Sequence, residues 1–373
     1  MNQNTNKVSL FEDSIKGFLK PIWNLLKDEK ISEVMINRYD EIWVEIAGKI
    51  QKTNLKFTDE DALLAAVTNI AQSVNRRIDE KNPRLDARLP NGYRIHAVLP
   101  PCSRKGVTVA IRKFSAKQFS FQDYIRFGTL TGTTAQFLKI CSYLGKNILI
   151  SGGTGSGKTS LLGAMCSYIP KGQRIIVIED ASELKIEYEH VVFFETKMAD
   201  IEGKNEVTIR DLLKSSLRLR PDRIIVGEVR GGEALELINA MNTGHKGCLG
   251  TIHANSCQDA IVRLESLAQG ADSKLSEKAL QHQLASAIDI VLQVSRYSDG
   301  SRKVAQIAEV IQVNEGIYEI STLFNIPQLL KKEGGKLEGK LLPTGLLPSF
   351  MNEIEDNQLN FPKHFFQTSK KSA

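Results

Sequence analysis

The sequence predicts an α/β protein with two domains, the second of them built on a mostly parallel sheet. The chain has 373 residues, more than one hydrophobic core usually serves. From Ala135 onward, apolar helical stretches alternate with short Ile- and Val-rich strands, as is typical of a parallel sheet with helices on both faces. A glycine-rich stretch follows one of these strands at Gly152.

Composition excludes several classes of protein. Charged residues make up 25% and hydrophobic ones 42%, which rules out a largely disordered, collagen-like or disulfide-scaffold chain. The net charge of +6 is compatible with binding to nucleic acid or anionic lipid, but it is too small to indicate either. The five cysteines lack CxxC spacing, so we expect reduced, mostly buried thiols. No apolar run is long enough to span a membrane, and the first 30 residues lack a signal-peptide pattern, so we expect a cytoplasmic protein.

The first part of the chain predicts a small α/β domain. Apolar residues at helical spacing indicate an amphipathic helix around Val8 to Leu26, which Pro21 would break or kink. Short apolar stretches around turn residues from Ser32 to Ile50 indicate paired strands. A further helix is expected from Asp59 to Arg77.

A hairpin predicted from Leu85 to Leu99 (LDARLPNGYRIHAVL) brings arginines together. In the register set by a three-residue PNG loop, Arg88 lies opposite Arg94, and Arg112 in the next strand-like run could join them. Opposed arginines repel, and a bound anion would remove the repulsion. The alternative is a solvated basic face with the side chains splayed apart.

The polar stretch after Arg112, which ends in Gly and Thr residues, is interpreted as a linker. The predicted divisions are an N-terminal helical segment over 1–30, an α/β domain over 31–112, a linker over 113–131 and the second domain over 132–373.

The glycine-rich stretch satisfies the phosphate-loop pattern GxxxxGK[ST] between a strand, Asn147 to Ser151, and a helix from Ser160 to Ser167. Its glycines let successive N–H groups face phosphate oxygens, and the helix dipole favours the same anion. Lys158 would lie between the β- and γ-phosphates, and Thr159 would offer its hydroxyl to Mg²⁺. The residues predicted to bind the nucleotide are Gly152, Gly153, Thr154, Gly155, Ser156, Gly157, Lys158, Thr159 and Ser160.

Other buried strands end in residues that suit phosphate hydrolysis. Glu179, Glu228 and His253 each lie at such an end, where open parallel sheets bind ligands. The carboxylates could hold Mg²⁺ through water or orient an attacking water, and a neutral His253 or His245 could sense the γ-phosphate. Each residue alone could equally be a helix cap or a structural histidine. Three arginines near the Glu228 strand could face phosphates across a subunit boundary or pair with local acids such as Asp211 and Glu233. They are Arg218, Arg220 and Arg230.

These motifs resemble those of the secretion ATPase superfamily that powers type II secretion, type IV secretion and type IV pili. GGTGSGKT resembles its Walker A motif, IEDASEL its Asp box, LRLRPDRIIVGEVRGGEAL its Walker B region and MNTGHKGCLGTIHAN its His box. Within the superfamily the chain is most similar to the CpaF family, the Tad or Flp pilus ATPases. That similarity depends on ISEVMIN, NRRIDEKNPRLDARLPNGYRIHAVLPP and VAIRKF in the first domain and on TGLLPSF and NFPKHFF near the end.

The resemblance implies an N-terminal α/β domain, a RecA-like P-loop ATPase domain, and a homo-hexamer that binds ATP or ADP with Mg²⁺ between the two domains. It implies that Glu228 positions water, that Glu179 and Glu183 lie in the Asp box, with Glu179 near the metal, and that His253 is the His-box residue. It also implies that Arg94 and Arg112, with Arg88, reach the nucleotide phosphates. Inner-membrane platform proteins would recruit the ring to the cytoplasmic face of the membrane.

Three other functions stay open at this stage. The chain begins close to its first domain, so its length is also near that of type IV secretion ATPases, which are the neighbouring alternative. A DNA-translocating motor is less consistent with the sequence, because aromatic residues are only 7% and form no regular base-stacking platform; we expect no direct nucleic-acid partner. A non-hydrolysing, ATP-gated scaffold is the third.

The region Lys331 to Lys340 is expected to be a flexible loop.

Overall fold

A computed structural model describes residues 15–46, 48–89, 92–113, 118–199, 202–271 and 275–367. The chain divides into two compact units, the first comprising the residues up to 117 together with 199–204, and the second comprising 118–198 and 205–373. Residues 8–14 of the expected N-terminal helix lie outside the described residues. After them, a 3₁₀ turn at Lys20–Ile22 contains Pro21 and precedes a short helix, because proline cannot continue the hydrogen bonding of the preceding turn.

The first unit is a six-stranded antiparallel sheet with a helix packed on it. The sheet order is β3-β2-β1-β6-β5-β4. The helix expected from Asp59 to Arg77 begins after Asp59, whose carboxylate accepts the Ala62 N–H at 2.8 Å, and ends before the left-handed Asn75. The elements are α1 Trp23–Lys27, β1 Ile31–Arg38, β2 Glu41–Ile46, β3 Lys49–Lys52, α2 Glu60–Ser73, β4 Arg84–Arg88, β5 Arg94–Val98 and β6 Thr108–Arg112.

The second unit is a nine-stranded sheet in the order β17-β14-β13-β12-β7-β11-β10-β8-β9. Its strands from β12 to β9 in this order are parallel, whereas β13, β14 and β17 extend the sheet antiparallel. The elements are α3 Phe121–Arg126, α4 Gly132–Leu144, β7 Ile148–Gly152, α5 Lys158–Cys166, β8 Ile175–Glu179, β9 Val191–Glu195, α6 Ile209–Ser216, β10 Arg223–Val229, α7 Glu233–Asn242, β11 Leu249–Ile252, α8 Cys257–Ala271, α9 Glu277–Ala287, β12 Ile290–Arg296, β13 Arg302–Asn314, β14 Ile317–Asn325, β15 Leu330–Lys331, β16 Leu337–Glu338, β17 Leu342–Pro343 and α10 Met351–Asp356.

Both faces of this sheet are buried, as the continuous apolar strands predicted. Ile148 and Ile150 of β7 face one core, whereas Leu149 between them faces the other. The first core includes α4, α5 and a cluster of phenylalanines around Phe137. Helices α6 to α9 cover the second. The mixed α/β fold with a mostly parallel second sheet is therefore confirmed.

Two segments differ from the sequence-based expectation. The range 113–131, interpreted as a linker, contains α3, and Phe121 is fully buried in the first core of the second unit, because its ring packs on Tyr168 at 4.7 Å between centroids. The range Lys331 to Lys340, expected to be a flexible loop, contains a short hairpin: β15 and β16 pair antiparallel, and Lys332 forms an ion pair with Glu338 at 2.5 Å. The cysteines are free, and four of the five are buried, as expected.

A buried arginine occupies the space beside a glycine at the amino ends of the strands. A Cβ on Gly247 would lie 1.4 Å from Arg223 Nη1, and the φ of Gly247 is +75°. Arg223 is 4% exposed, and its Nε donates to Gln173 Oε1 at 2.6 Å, so the guanidinium cannot move aside cheaply.

We therefore expect Gly247→Ala to reduce the free energy of unfolding by about 1 to 3 kcal/mol more than Gly172→Ala does. Gly172 is the matched control, since its φ of +86° imposes the same left-handed backbone and, apart from its chain neighbours, no atom of the described residues lies within 4 Å of its Cβ position. Urea-induced unfolding of both variants measures the difference. Equal losses would contradict the role given to Arg223.

Candidate functional site

The phosphate loop follows β7 directly and leads into α5. Lys158, the first residue of α5, is 7% exposed, and its Nζ donates to the carbonyl oxygens of Gly152 at 2.9 Å and Gly153 at 3.1 Å. Gly155 has a φ of +67° and Gly157 one of +97°, a left-handed backbone that favours glycine. The loop therefore curls back over its own lysine.

Glu228, His253 and Lys158 come together beside this loop. β11 lies between β7 and β10, so the residues at the carboxyl ends of these strands share one edge. His253 Nε2 lies 2.8 Å from Glu228 Oε1, an ion-pair distance without hydrogen-bond alignment. Lys158 Nζ lies 3.5 Å from both ring nitrogens of His253. The structure thus places a cation, a histidine and a carboxylate at the end of the phosphate loop.

Arg230 completes this cluster by pairing with Glu228 of β10, the strand that it follows, and with Asp180 at the end of the neighbouring β8. Its Nη2 donates to Glu228 Oε2, and its Nη1 lies 3.5 Å from Asp180 Oδ2. The Glu228 hydrogen bond raises the pKa of Arg230 against the effect of burial, and the charges of Glu228, Asp180 and Glu183 raise it further. The sequence left two roles open for Arg230: facing a phosphate across a subunit boundary, or pairing with acids of its own chain. This structure shows pairing with acids of the chain. The partners of the side chain are Glu228 and Asp180, not Asp211 or Glu233.

The charges of the cluster set the ionisation of Glu228 and His253. Burial by itself would raise the pKa of Glu228, but the hydrogen bond and charge of Arg230, with His253 and Lys158, outweigh it and hold that pKa below its ordinary value. Burial and the nearby Lys158 lower the pKa of His253, against the opposing effect of Glu228. At neutral pH the site therefore holds an ionised Glu228 and a neutral His253.

Glu179 lies at the end of β8 and is 3% exposed. Its Oε1 accepts the backbone N–H groups of Glu183 and Leu184, both at 3.0 Å, so this oxygen holds the chain segment that follows β8. Because Oε1 already accepts two backbone hydrogen bonds, a metal or its bound water would contact Oε2. Burial is the main cause that raises the pKa of Glu179, to about 7, against the two amide hydrogen bonds that lower it.

The structure does not bring His245 to the phosphate loop. His245 precedes β11, and its carbonyl accepts from Cys248 Sγ at 3.1 Å at the amino end of the sheet. His253 follows the same strand at its other end. A strand of this length separates the two histidines by roughly 13 Å, so the prediction that both lie beside the phosphates of one loop is corrected for His245.

The predicted arginine pair is present in the first unit. β4 and β5 pair with Arg88 opposite Arg94, in the register expected from the sequence. Arg112 of β6 joins them and lies opposite Arg94. Arg94 forms a bidentate ion pair with Asp86, with Nε–Oδ1 at 3.1 Å and Nη2–Oδ2 at 2.6 Å. Asp86 therefore compensates part of the repulsion for which the sequence suggested an anion.

Sequence reasoning missed two arginines at the phosphate loop. Arg302 Nε donates to the Gly155 carbonyl at 2.8 Å, and Arg296 Nη1 would lie 3.1 Å from a Cβ on Gly155. More than 140 residues separate them from Gly155 in the chain, and no local pattern marks them. Only the pairing of β12 with β7 brings them to the loop.

The residues at the loop fit a nucleotide with Mg²⁺. Ser156 Oγ and Glu228 Oε1 are buried and, within the described part of the chain, make no hydrogen bond, so two polar groups remain to be satisfied there. The described residues contain no group of three His, Cys, Asp or Glu side chains that could hold a metal. A magnesium ion that keeps several waters and shares phosphate oxygens needs only Thr159 and one or two carboxylates, which is what this site offers.

The fold and this loop define a P-loop ATPase. The model of the family described as "Type II/IV secretion system protein" matches residues 17–321, and the chain belongs to this family. A putative conjugal transfer protein of Mycobacterium tuberculosis is 34% identical over 331 residues, which cover 87% of this chain and 92% of that protein. The type IV secretion system protein VirB11 of Bartonella quintana is 33% identical over 347 residues, covering 82% and 96%.

Solved structures are similar in fold. The pilus retraction motor PilT with bound ADP matches with a TM-score of 0.55 at 22% identity, and the match covers 92% of this chain and 86% of that one. At this identity the similarity shows the fold, with an N-terminal domain followed by an ATPase domain. Among the described residues, no helix combines the length and apolar character needed to cross a membrane.

The raised pKa of Glu179 predicts a pH effect on stability. A carboxyl with a folded-state pKa near 7 and an unfolded value of 4.5 stabilises the fold fully below pH 4.5, and this contribution is lost as the pH rises toward 7. Relative to Glu179→Gln, we expect the wild type to lose up to about 3 kcal/mol between pH 5 and pH 8.

Urea unfolding without nucleotide or Mg²⁺ at both pH values measures this loss. Glu189→Gln, which replaces an exposed carboxyl that precedes β9 at its amino end, is the control and should leave the difference between the two pH values unchanged. A wild type and a Glu179→Gln variant with parallel pH dependence would contradict the burial effect.

Proposed function

We propose that this ATPase is the hexameric motor of a Tad- or Flp-type pilus, recruited to the cytoplasmic face of the inner membrane by platform proteins. The observation that carries the hydrolytic part is the Lys158, His253 and Glu228 cluster at the end of the phosphate loop. The assignment to the CpaF-like pilus group is supported by the sequence motifs of the first domain and by the endings TGLLPSF and NFPKHFF.

Each residue of the cluster has a role in the proposed reaction. Lys158 would leave the Gly152 and Gly153 carbonyls and donate to the β- and γ-phosphate oxygens. Glu228 is ionised, so it accepts a hydrogen bond from the attacking water and orients it. Arg230 holds Glu228 in place through its Oε2. Oε1, which lies 2.8 Å from His253 Nε2 and makes no hydrogen bond among the described residues, would accept the water when His253 moves away from it.

The remaining residues bind and sense the phosphates. Neutral His253 lies between Lys158 and Glu228, where its ring would respond to the presence of a terminal phosphate. Mg²⁺, when bound with the nucleotide, neutralises phosphate charge, and Thr159 would be its protein ligand, with Glu179 acting through water. Arg94 and Arg112, with Arg88, are proposed phosphate ligands on the basis of the family resemblance.

A type IV secretion or conjugation ATPase is the second candidate, and a specific observation favours it. The M. tuberculosis relative is described as a putative conjugal transfer protein, and the B. quintana relative as a type IV secretion protein. Both roles use the same cluster, so site variants do not separate them. The genes next to this one decide the matter: prepilin-like genes support the pilus, and conjugation genes support secretion.

Substitutions at the loop and at Glu228 test the hydrolytic site. We expect Lys158→Ala to lose nucleotide binding and turnover together, because the loop then lacks its central cation. Glu228→Gln should bind ATP as the wild type does and hydrolyse it at least about 100-fold more slowly, because the amide orients water poorly. Phosphate release and the affinity for labelled ATP are measured for both variants.

Glu189→Gln, at the amino end of the edge strand β9 and so at the edge of the sheet opposite the phosphate loop, is the matched control and should keep wild-type turnover. Wild-type turnover in either site variant would show that the site is wrongly assigned. Absence of turnover in the wild type itself would support an ATP-gated scaffold instead.

A DNA-binding assay at several salt concentrations distinguishes the proposed function from a nucleic-acid motor, which would bind DNA tightly and hydrolyse ATP faster in its presence. We expect single- and double-stranded DNA to bind no more tightly than about 10⁻⁶ M at 150 mM salt and to leave ATP turnover unchanged, since part of the +6 charge lies at the phosphate loop. Tight binding together with DNA-stimulated turnover would overturn the proposed pilus or secretion role.

A further inference from the structure

The turn between β12 and β13 lies beside the phosphate loop. The last pair between β12 and β7 is Val294 opposite Gly152. β12 continues beyond the end of β7 to Arg296. On the other strand of the hairpin, Arg302 lies directly opposite Arg296. The register therefore places two arginines level with the loop that follows Gly152.

Both arginines contact the middle of the loop. Arg302 Nε donates to the Gly155 carbonyl at 2.8 Å, and a Cβ on Gly157 would lie 3.4 Å from Arg302 Cδ. Arg296 Nη1 packs against the side of Gly155 where a Cβ would project. Because Gly155 is left-handed and has no side chain, Arg302 is the group that fixes the orientation of its carbonyl.

The hairpin holds Arg302 independently of the loop. Thr129 Oγ1 donates to the Arg302 carbonyl at 2.8 Å, and the Val304 N–H donates to the Thr129 carbonyl at 3.1 Å. At the tip of the hairpin, the Asp299 carboxylate accepts the N–H of Leu337 at 2.7 Å, so the β15–β16 segment braces the turn. Arg302 is therefore fixed at its backbone before any ligand arrives.

The charges at this place favour an anion. Arg302 brings a positive charge to the middle of the loop, and buried Lys158 lies at the end of the same loop. For Arg302 the described residues provide a carbonyl partner and no carboxylate. A bound polyphosphate would compensate these charges. Glu228 and His253 lie on the β11 side of β7, so the hairpin on the β12 side faces the part of the nucleotide away from the terminal phosphate.

We infer that Arg302 is a positioning residue for nucleotide binding, which holds Gly155 and adds positive charge on the β12 side of the phosphate loop. The inference rests on the proposed nucleotide-binding role of this loop. Arg302 acts on the phosphates that ATP and ADP share, so it contributes to the affinity for both nucleotides and not to the chemical step.

Binding of labelled ADP and steady-state ATP turnover test this role in Arg302→Ala, Arg302→Gln and Arg302→Lys. We expect Arg302→Ala to raise the Kd for ADP and the KM for ATP about 10- to 100-fold, the effect of one charged hydrogen bond, with kcat within about twofold of the wild type. Arg302→Lys keeps the charge and should recover part of the affinity. In Arg302→Gln, which keeps a donor but no charge, ADP affinity should depend less steeply on salt than in the wild type.

Arg174→Ala is the matched control, because Arg174 lies at the amino end of β8, at the opposite edge of the sheet, and should bind ADP normally. Three results would each overturn the inference. Arg302→Ala could lower kcat and leave KM unchanged, it could bind ADP as tightly as the wild type, or Arg302→Lys could bind ADP no more tightly than Arg302→Ala. Melting temperatures show whether Arg302→Ala is folded. If it is not, the inference is tested by the Kd for ADP, and its dependence on salt, in Arg302→Lys and Arg302→Gln.

Lys158→Ala separates this inference from the proposed function. If Lys158→Ala binds ADP normally, the loop is not the nucleotide site and the proposed function fails. If Lys158→Ala loses binding while the Arg302 variants retain it, only the role of Arg302 fails.

Discussion

The candidate site depends on the pairing of β7 with a parallel strand on each side. β11 on one side brings His253 to the loop, and β10 beyond it brings Glu228. β12 on the other side brings Arg296 and Arg302. Parallel pairing places the carboxyl ends of these strands at one edge, so residues far apart in the chain converge on the five loop residues between Gly152 and Lys158.

The loop is held from both sides before a nucleotide binds. Lys158 bonds to the carbonyls at its start, and Arg302 bonds to the carbonyl of Gly155 in its middle. A loop fixed in this way loses little conformational entropy when it binds phosphate. The left-handed glycines make this arrangement possible, since a side chain at Gly155 would meet Arg296.

The acids near the loop differ in role because their surroundings differ. Glu228 has Arg230 beside it and stays ionised, which suits a residue that orients water. Glu179 is buried against backbone amides, and its pKa rises to about 7, which suits a residue that holds the following segment. Both glutamates end buried strands. They differ because Arg230, two residues further along the chain, pairs with Glu228, whereas the segment after β8 folds back onto Glu179 with its amides.

The sequence by itself determined the α/β class, the phosphate loop, the hairpin register of Arg88 and Arg94 and the identity of the strands that carry Glu228 and His253. These features depend on local patterns: hydrophobic periodicity, turn residues and glycine spacing. The tertiary structure alone decided that His245 lies at the far edge of the sheet, that Arg230 reaches Asp180, and that Arg302 reaches Gly155. The two arginine contacts join segments distant in the chain. Sheet order and register set their partners, and no local pattern encodes either.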